Sequence, residues 1–176
     1  PSLFMADGPN GLRKQELEAD MLGVNESVPA TCFPTSVSTA CSWDSELAAE
    51  IGKAIAREAL QNKVGLLLGP GANIKRNPLC GRNFEYFSED PFLTGKLAAG
   101  FIRGAQSVGG KTTLKHFAFN NQEYKRFSSD SVVDERTMRE IYLTGFELAV
   151  KEGKPAAVMS AYNKINGEHC SENRML

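Results

Sequence analysis

The sequence has 176 residues, of which 41% are hydrophobic and 23% charged, as is ordinary for one globular domain or for part of a larger one. Its 20 basic and 21 acidic residues leave a formal charge of −1, so nothing recommends a nucleic acid or an anionic membrane as a partner. Four scattered cysteines and only two histidines argue against a zinc site and a disulfide framework, and no apolar run reaches the roughly 18 residues that cross a membrane.

The predicted elements alternate between strands and helices. Strands are predicted over residues 2–6, 30–33, 64–68, 112–117 and 156–161, which are short and mainly apolar. Helices are predicted over residues 42–62, from the Asp90-Pro91 pair onward, and over residues 134–151. Their apolar stripes are, in turn, Leu47, Ile51, Ile55 and Ala59; Leu93, Leu97, Phe101 and Ala105; and Met138, Ile141, Tyr142, Phe146 and Ala149. This alternation predicts a parallel sheet covered on both faces, either doubly wound or part of a (β/α)8 barrel.

Polar or Gly-rich clusters follow most of the predicted strands. They are Asp7-Gly8-Pro9, Gly69-Pro70-Gly71, Lys115-His116 and Tyr162-Asn163. In both candidate folds the carboxyl ends of the strands meet at one edge, where binding and catalytic residues collect. The distribution therefore favours an enzyme site at that edge.

The pair Lys115-His116 stands at the end of the fourth predicted strand. Side chains alternate along a strand, so one member of the pair must face the packed interior. A buried lysine is costly unless a charged group pairs with it. A purely structural ion pair with a core histidine explains the pattern as well as a binding site does.

Two further stretches carry groups suited to a polyol. The stretch "DGPNGLR" places Asp7 and Arg13 after one strand, a carboxylate that accepts from hydroxyls and a guanidinium that donates to them. The stretch "GRNFEYFSEDP", residues 81–91, sets Arg82 among aromatic side chains, as the face of a sugar ring requires. A loop ion pair and an ordinary aromatic anchor remain the alternatives.

The stretch "AQSVGGKT", residues 105–112, resembles a relaxed phosphate-binding loop. Such a loop follows a strand and opens a helix, whereas here a helix precedes and a strand follows. A nucleotide-binding α/β domain is therefore disfavoured.

The longer motifs together are far more specific than any one of them. They are "ADGPNGLR", "FPTSVSTACSWD", "LLLGPGANIKRNPLCGRNFEYFSEDP", "LKHFAFNNQE", "DERTMREIYLTGFELAVK" and "AVMSAYNKINGE". In this order and spacing they resemble the N-terminal catalytic domain of glycoside hydrolase family 3 enzymes of the β-glucosidase type. The stretch after Lys115-His116 lacks the Pro-Gly-His continuation of the N-acetylhexosaminidase branch, which favours the glucosidase and xylosidase branch.

The resemblance implies a TIM-barrel-like (β/α)8 domain, of which this chain carries about the first five βα units. It implies that Asp7 grips sugar hydroxyls, that Arg13, Arg82 and Arg126 line the pocket, and that Lys115 and His116 donate to hydroxyls. By the same resemblance Tyr162 lies near the nucleophile, and carboxylates such as Asp7 pair with Lys115.

The resemblance also implies retaining hydrolysis by two carboxylates, both expected beyond Leu176. None of Glu85, Glu89, Glu123 or Asp134 matches either role, so no catalytic residue is predicted within this chain. No cofactor or metal is expected. The expected partners are a β-glucoside or oligosaccharide and the rest of the same polypeptide, with self-association left open. A xyloside or arabinoside substrate, a non-catalytic fragment, and secretion rather than a cytoplasmic location stay as alternatives.

Overall fold

The computed structural model describes residues 2–15 and 26–176 of the chain. Its elements, in chain order, are β1 (Met5–Asp7), α1 (Ser36–Ala40), α2 (Ser45–Gln61), β2 (Leu66–Leu68), a 3₁₀ turn (Asn83–Glu85), α3 (Pro91–Ser107), β3 (Thr113–Phe117), β4 (Asp130–Ser131), α4 (Glu135–Thr137, Met138–Leu143, Thr144–Leu148 and Ala149–Gly153), β5 (Ala157–Ser160), β6 (Lys164–Ile165) and β7 (Glu168–His169). Four of the five predicted strands and all three predicted helices are present.

The main strands run parallel and lie side by side in chain order. β1 pairs with β2 and β3 pairs with β5, both in parallel register. Between the two pairs, Leu67 N donates to Lys111 O at 2.9 Å and Thr113 N donates to Gly69 O at 3.1 Å. The order β1-β2-β3-β5 contains no reversal within the described residues, whereas a doubly wound sheet needs one. The observed order is that of a barrel wall.

The predicted strand over residues 30–33 is wrong. Its backbone donors bind elsewhere than on a neighbouring strand: Thr31 N donates to the Glu58 carboxylate at 3.2 Å, and Phe33 N donates to Asn10 O at 3.0 Å. A short apolar run predicts a strand only if a ladder partner is available, and here a helix side chain and a loop carbonyl take its hydrogen bonds instead.

Helices α2 and α3 pack closely through small residues. In α2 the buried positions are Ala48, Gly52, Ile55, Ala56 and Ala59, and Leu47 of the predicted stripe is 44% exposed. A Cβ atom at Gly104 would overlap the carbonyl oxygen of Ala49, so the two backbones approach too closely there for any side chain. Ile55 and Ala59 of the predicted stripe are thus buried, whereas its first member Leu47 is exposed because the close contact with α3 buries Ala48 and Gly52 instead.

Two π-helical stretches, Met138–Leu143 and Ala149–Gly153, interrupt α4. A π turn holds more residues than an α turn, so it rotates the face that follows it. Met138, Phe146 and Ala149 are buried as predicted, whereas Ile141 is 36% exposed. The predicted helix is confirmed, and its predicted stripe is correct only in part.

The core lies between the strands and the layer of α2, α3 and α4. One cluster contains Leu97, Leu114 and Phe146, and a second contains Ile55 and Leu67. None of the described helices is long and apolar enough to cross a membrane. The helices pack along the strands, so the loops surround the carboxyl ends of the strands. These loops carry most of the polar residues of the candidate site.

Candidate functional site

The centre of the site is the ammonium group of Lys115, on β3. Its Nζ lies 2.9 Å from Asp7 Oδ1 and 3.2 Å from Glu85 Oε2. The Lys115 and Glu85 side chains are each 3% exposed, whereas the Asp7 side chain is 51% exposed. The buried lysine is thus paired with two carboxylates, and one of them reaches the surface.

Glu85 also forms an ion pair with the Arg82 Nε atom. Both residues belong to the loop that carries the 3₁₀ turn, and this loop packs directly on the end of β2. A Cβ atom at Gly71 would stand 2.8 Å from the Glu85 carbonyl oxygen, so only glycine permits this approach. The close approach brings the carboxylate of Glu85 to Lys115 from a neighbouring strand end.

An open cavity of about 290 Å³ lies above these groups. Its lining residues are Asp7, Gly8, Pro9, Asn10, Gly11, Arg13, Arg82, Phe84 and Glu85. Asp7 and Arg13 face each other because Arg13 N donates to Asp7 O at 2.8 Å, which folds the loop after β1 into a tight turn. The cavity therefore presents carboxylates and guanidinium groups beside one aromatic ring.

His116 is buried beside Lys115, so both members of the pair are enclosed rather than one. A strand whose two faces are both covered can bury consecutive side chains. Tyr86 Oη lies 3.0 Å from His116 Nδ1, and Asn120 Nδ2 lies 3.1 Å from the same oxygen. Burial, together with the positive charges of Arg82, Lys115 and Arg126, lowers the pKa of His116 to about 2. The imidazole is neutral at any ordinary pH.

Arg126 and Tyr162 lie together on neighbouring loops. The guanidinium carbon of Arg126 is 5.0 Å from the centre of the Tyr162 ring and 5.1 Å from that of Phe127. The Arg126 Nη1 atom donates to Glu123 at 2.9 Å. The two residues are close to each other, but neither lines the cavity, and Tyr162 is 45% exposed.

The structure thus places Asp7, Arg13 and Arg82 around one cavity, with Lys115 joined to it through Asp7 and Glu85. His116 lies behind this group, and Arg126 with Tyr162 forms a separate cluster at its side. The sequence predicted no role for Glu85, Asn73 or Asn120, and it placed Tyr86 only among the aromatic side chains beside Arg82. The only sequence signal for Glu85 is its place three residues after Arg82.

Within the described residues, no group of three or more His, Cys, Asp or Glu side chains is arranged to hold a metal ion. The chemistry that the site offers is hydrogen bonding. Carboxylates accept, and the ammonium and guanidinium groups donate, around a space open to solvent.

Comparison with known protein families and sequences gives a consistent result. The model of the glycosyl hydrolase family 3 N-terminal domain matches residues 17–176. The thermostable β-glucosidase B of Acetivibrio thermocellus is 60% identical over the whole chain, which spans 23% of that protein. An exo-α-(1→6)-L-arabinopyranosidase of Bifidobacterium longum is 50% identical over the whole chain, again 23% of that protein. The chain thus spans about a quarter of the length of these relatives.

Solved structures agree. β-Glucosidase 3B from Thermotoga neapolitana in complex with α-D-glucose superposes with a TM-score of 0.92 at 50% identity, covering 100% of this chain and 24% of that one. The β-glucosidase of Kluyveromyces marxianus in complex with glucose superposes with a TM-score of 0.93 at 44% identity, covering 100% of this chain and 20% of that one. The shared fold is the TIM-barrel-like one, which agrees with the unreversed strand order described above.

Proposed function

The chain belongs to glycosyl hydrolase family 3, and from that premise we propose that it supplies the sugar-binding wall of an exo-acting β-glucosidase. The full-length polypeptide would release terminal, non-reducing β-D-glucose from β-glucosides. The observation that carries the proposal is the group of Asp7, Lys115 and Glu85 at the cavity, where one ammonium joins two carboxylates. The names of the relatives and the glucose bound in two similar structures support it.

The charged groups that line the cavity can each form a hydrogen bond with a sugar hydroxyl. A hydroxyl both donates and accepts, so it fits between the Asp7 carboxylate and the guanidinium groups of Arg13 or Arg82. Lys115 remains held by Glu85 while Asp7, the more exposed carboxylate, turns to the ligand. A sugar lacking one of these hydroxyls would leave enclosed charges unpaired, and such a site rejects it strongly.

The hydrolysis itself would be retaining and would need two more carboxylates. One attacks the anomeric carbon, and the other, as an acid, protonates the leaving oxygen, at a separation of roughly 5 Å. Asp7 and Glu85 do not fit these roles, because both bind the same ammonium group, an arrangement suited to binding hydroxyls. The nucleophilic aspartate and the acid/base glutamate would lie beyond Leu176.

The second candidate substrate is an arabinopyranoside or a xyloside. The 50% identical arabinopyranosidase of Bifidobacterium longum favours it, because that relative matches over the whole chain. Arabinopyranosides and xylosides lack the hydroxymethyl group of a glucoside. The side of the pocket that meets this group would therefore decide between them.

The direct experiment is a panel of aryl β-glucoside, β-xyloside and α-L-arabinopyranoside assayed with the full-length polypeptide that carries these residues. The β-glucoside is expected to have the highest kcat/KM. Lys115→Ala is expected to lower it at least about 100-fold, roughly 2.7 kcal/mol of transition-state stabilisation. Lys53→Ala, which removes a partly exposed lysine from a pair with Glu50 far from the cavity, is the matched control and should leave kcat/KM unchanged. Activity of Lys115→Ala near that of the wild type would refute the assigned site.

A further inference from the structure

We propose that Tyr86 is a positioning residue that fixes His116 in the tautomer protonated on Nε2, so that this nitrogen donates to a sugar hydroxyl. The inference rests on the function proposed above. In this proposal Tyr86 does not contact the ligand. It acts only by setting which nitrogen of His116 carries the proton. The geometry of three buried side chains carries it.

Tyr86 Oη takes part in two hydrogen bonds, and their directions determine where its hydrogen lies. Asn120 Nδ2 donates to Tyr86 Oη at 3.1 Å, so the hydroxyl hydrogen of Tyr86 is not directed at this amide group. The hydroxyl hydrogen then points to its other neighbour, His116 Nδ1, at 3.0 Å. Nδ1 therefore accepts, and a neutral imidazole that accepts on Nδ1 carries its proton on Nε2.

Tyr86 and His116, the two partners of this hydrogen bond, each keep one protonation state. Tyr86 and Asn120 are each buried, and burial raises the pKa of the Tyr86 hydroxyl, which therefore remains a donor. His116 stays neutral because its burial among Arg82, Lys115 and Arg126 opposes a further positive charge. Only the tautomer is left to be decided, and Tyr86 decides it.

His116 is held in place by contacts at its backbone and at its ring. His116 N donates to Asn73 Oδ1 at 2.8 Å, and Asn73 Nδ2 donates to His116 O at 2.9 Å. These two bonds hold the backbone of His116, while the edge of the Tyr86 ring packs against the imidazole with centroids 6.1 Å apart. Asn73 thus holds the backbone of His116, and Tyr86 contacts its ring.

The other ring nitrogen of His116, Nε2, is available to a ligand. Within the described parts of the chain, Nε2 of His116 forms no hydrogen bond, and it is not among the enclosed polar atoms that lack a partner. This nitrogen is therefore not fully enclosed, although the His116 residue as a whole is buried. Because the proton is on Nε2, this nitrogen can only donate a hydrogen bond. It therefore binds an oxygen atom of the ligand that is able to accept.

The tautomer is measured by ¹⁵N NMR of the full-length polypeptide labelled on histidine, and the His116 signals are assigned by their loss in His116→Gln. The wild type is expected to show a pyridine-type Nδ1 and a pyrrole-type Nε2. Tyr86→Phe keeps the ring contact and removes the hydroxyl, so it should produce a mixture of the two tautomers. Tyr142→Phe, a partly buried tyrosine stacked on Phe119, is the control and should leave the spectrum unchanged. A pyrrole-type Nδ1 in the wild type, as a reversed Asn120 amide would give, overturns the proposal whether or not Tyr86→Phe folds.

Kinetics separate an action through His116 from a general loss of structure. Tyr86→Phe is expected to lower kcat/KM about tenfold, the order of one lost hydrogen bond to a substrate hydroxyl. In a His116→Gln background the same change should cost less than about threefold, because the group through which it acts is gone. Additive losses would overturn the proposal. If no glycoside is turned over at all, the proposed function fails, and the NMR result still decides the tautomer.

Discussion

Replacement of Asp7 by asparagine should separate the binding role of the site from its structural role. The Asp7 side chain is 51% exposed, so solvent screens it, and an asparagine Oδ1 at this position could still accept from the Lys115 ammonium. Lys115 would keep its buried partner Glu85 at 3.2 Å. We therefore expect the free energy of unfolding of Asp7→Asn to stay within about 1 kcal/mol of the wild-type value.

The effect on the ligand should be much larger. A hydrogen bond to a charged group contributes about 1.5–3 kcal/mol, so a carboxylate that accepts from two sugar hydroxyls loses roughly 3 kcal/mol when it becomes an amide. That corresponds to a fall of at least about 100-fold in kcat/KM, since each tenfold change is about 1.4 kcal/mol.

The assay is hydrolysis of an aryl β-glucoside by the full-length polypeptide, with urea unfolding of the same preparations. Glu50→Gln makes the same carboxylate-to-amide change at an exposed pair on α2 and serves as the control. A variant Asp7→Asn that retains kcat/KM within about threefold would refute the assignment of Asp7 to the sugar pocket. A loss of stability as large as the loss of activity would refute the separation of the two roles.

Three further outcomes are expected. Gly104→Ala should destabilise the protein by about 3 kcal/mol, because its methyl group would overlap the Ala49 carbonyl oxygen, whereas Gly81→Ala meets only Glu123 at 3.9 Å and should change urea unfolding little. Hydrogen bonds from Thr137 lower the pKa of the Asp134 carboxyl at the start of α4, so the cap stabilises fully above the unfolded value of roughly 4 and is lost as the pH falls through the folded value. The difference in unfolding free energy between wild type and Asp134→Ala should accordingly shrink below about pH 4, and a difference independent of pH would contradict this. The 176-residue chain expressed alone should not hydrolyse aryl β-glucosides and should associate in size-exclusion chromatography, through the edge of β5 that pairs with no strand of the described residues. A soluble monomer that turns over substrate would place a nucleophile among these residues.

Local chemistry in the sequence determined where most elements begin. Asp44, Asp90 and Asp134 each accept hydrogen bonds from the first turn of a helix. The start at Asp90-Pro91 was predicted, whereas Asp44 and Asp134 were placed inside the predicted helices. Such caps involve neighbours within three residues and are therefore visible in the chain itself. The same holds for β2, which Gly69-Pro70-Gly71 follows directly, whereas Lys115-His116 lies inside β3 rather than after it.

The arrangement of the site was decided by contacts far apart in the chain. Glu85 is an unremarkable loop glutamate in the sequence, and only the approach of its loop to Gly71 brings it to Lys115, 30 positions away. The motif resemblance found Asp7 and Lys115, but periodicity alone left a barrel and a doubly wound sheet equally open. The strand order settled that choice because parallel strands pair across long connections, which no local pattern records.

Packing also overruled the apolar pattern where two helices meet. Leu47 belongs to the predicted stripe of α2 and is exposed, yet Gly52 is buried, where an added Cβ atom would meet the Phe101 carbonyl oxygen of α3. Residues 30–33 have the composition of a strand, yet Glu58 and Asn10 take their backbone hydrogen bonds. A sequence fixes what each segment can bury, whereas the partner that comes close enough to bury it is chosen only when the whole chain packs.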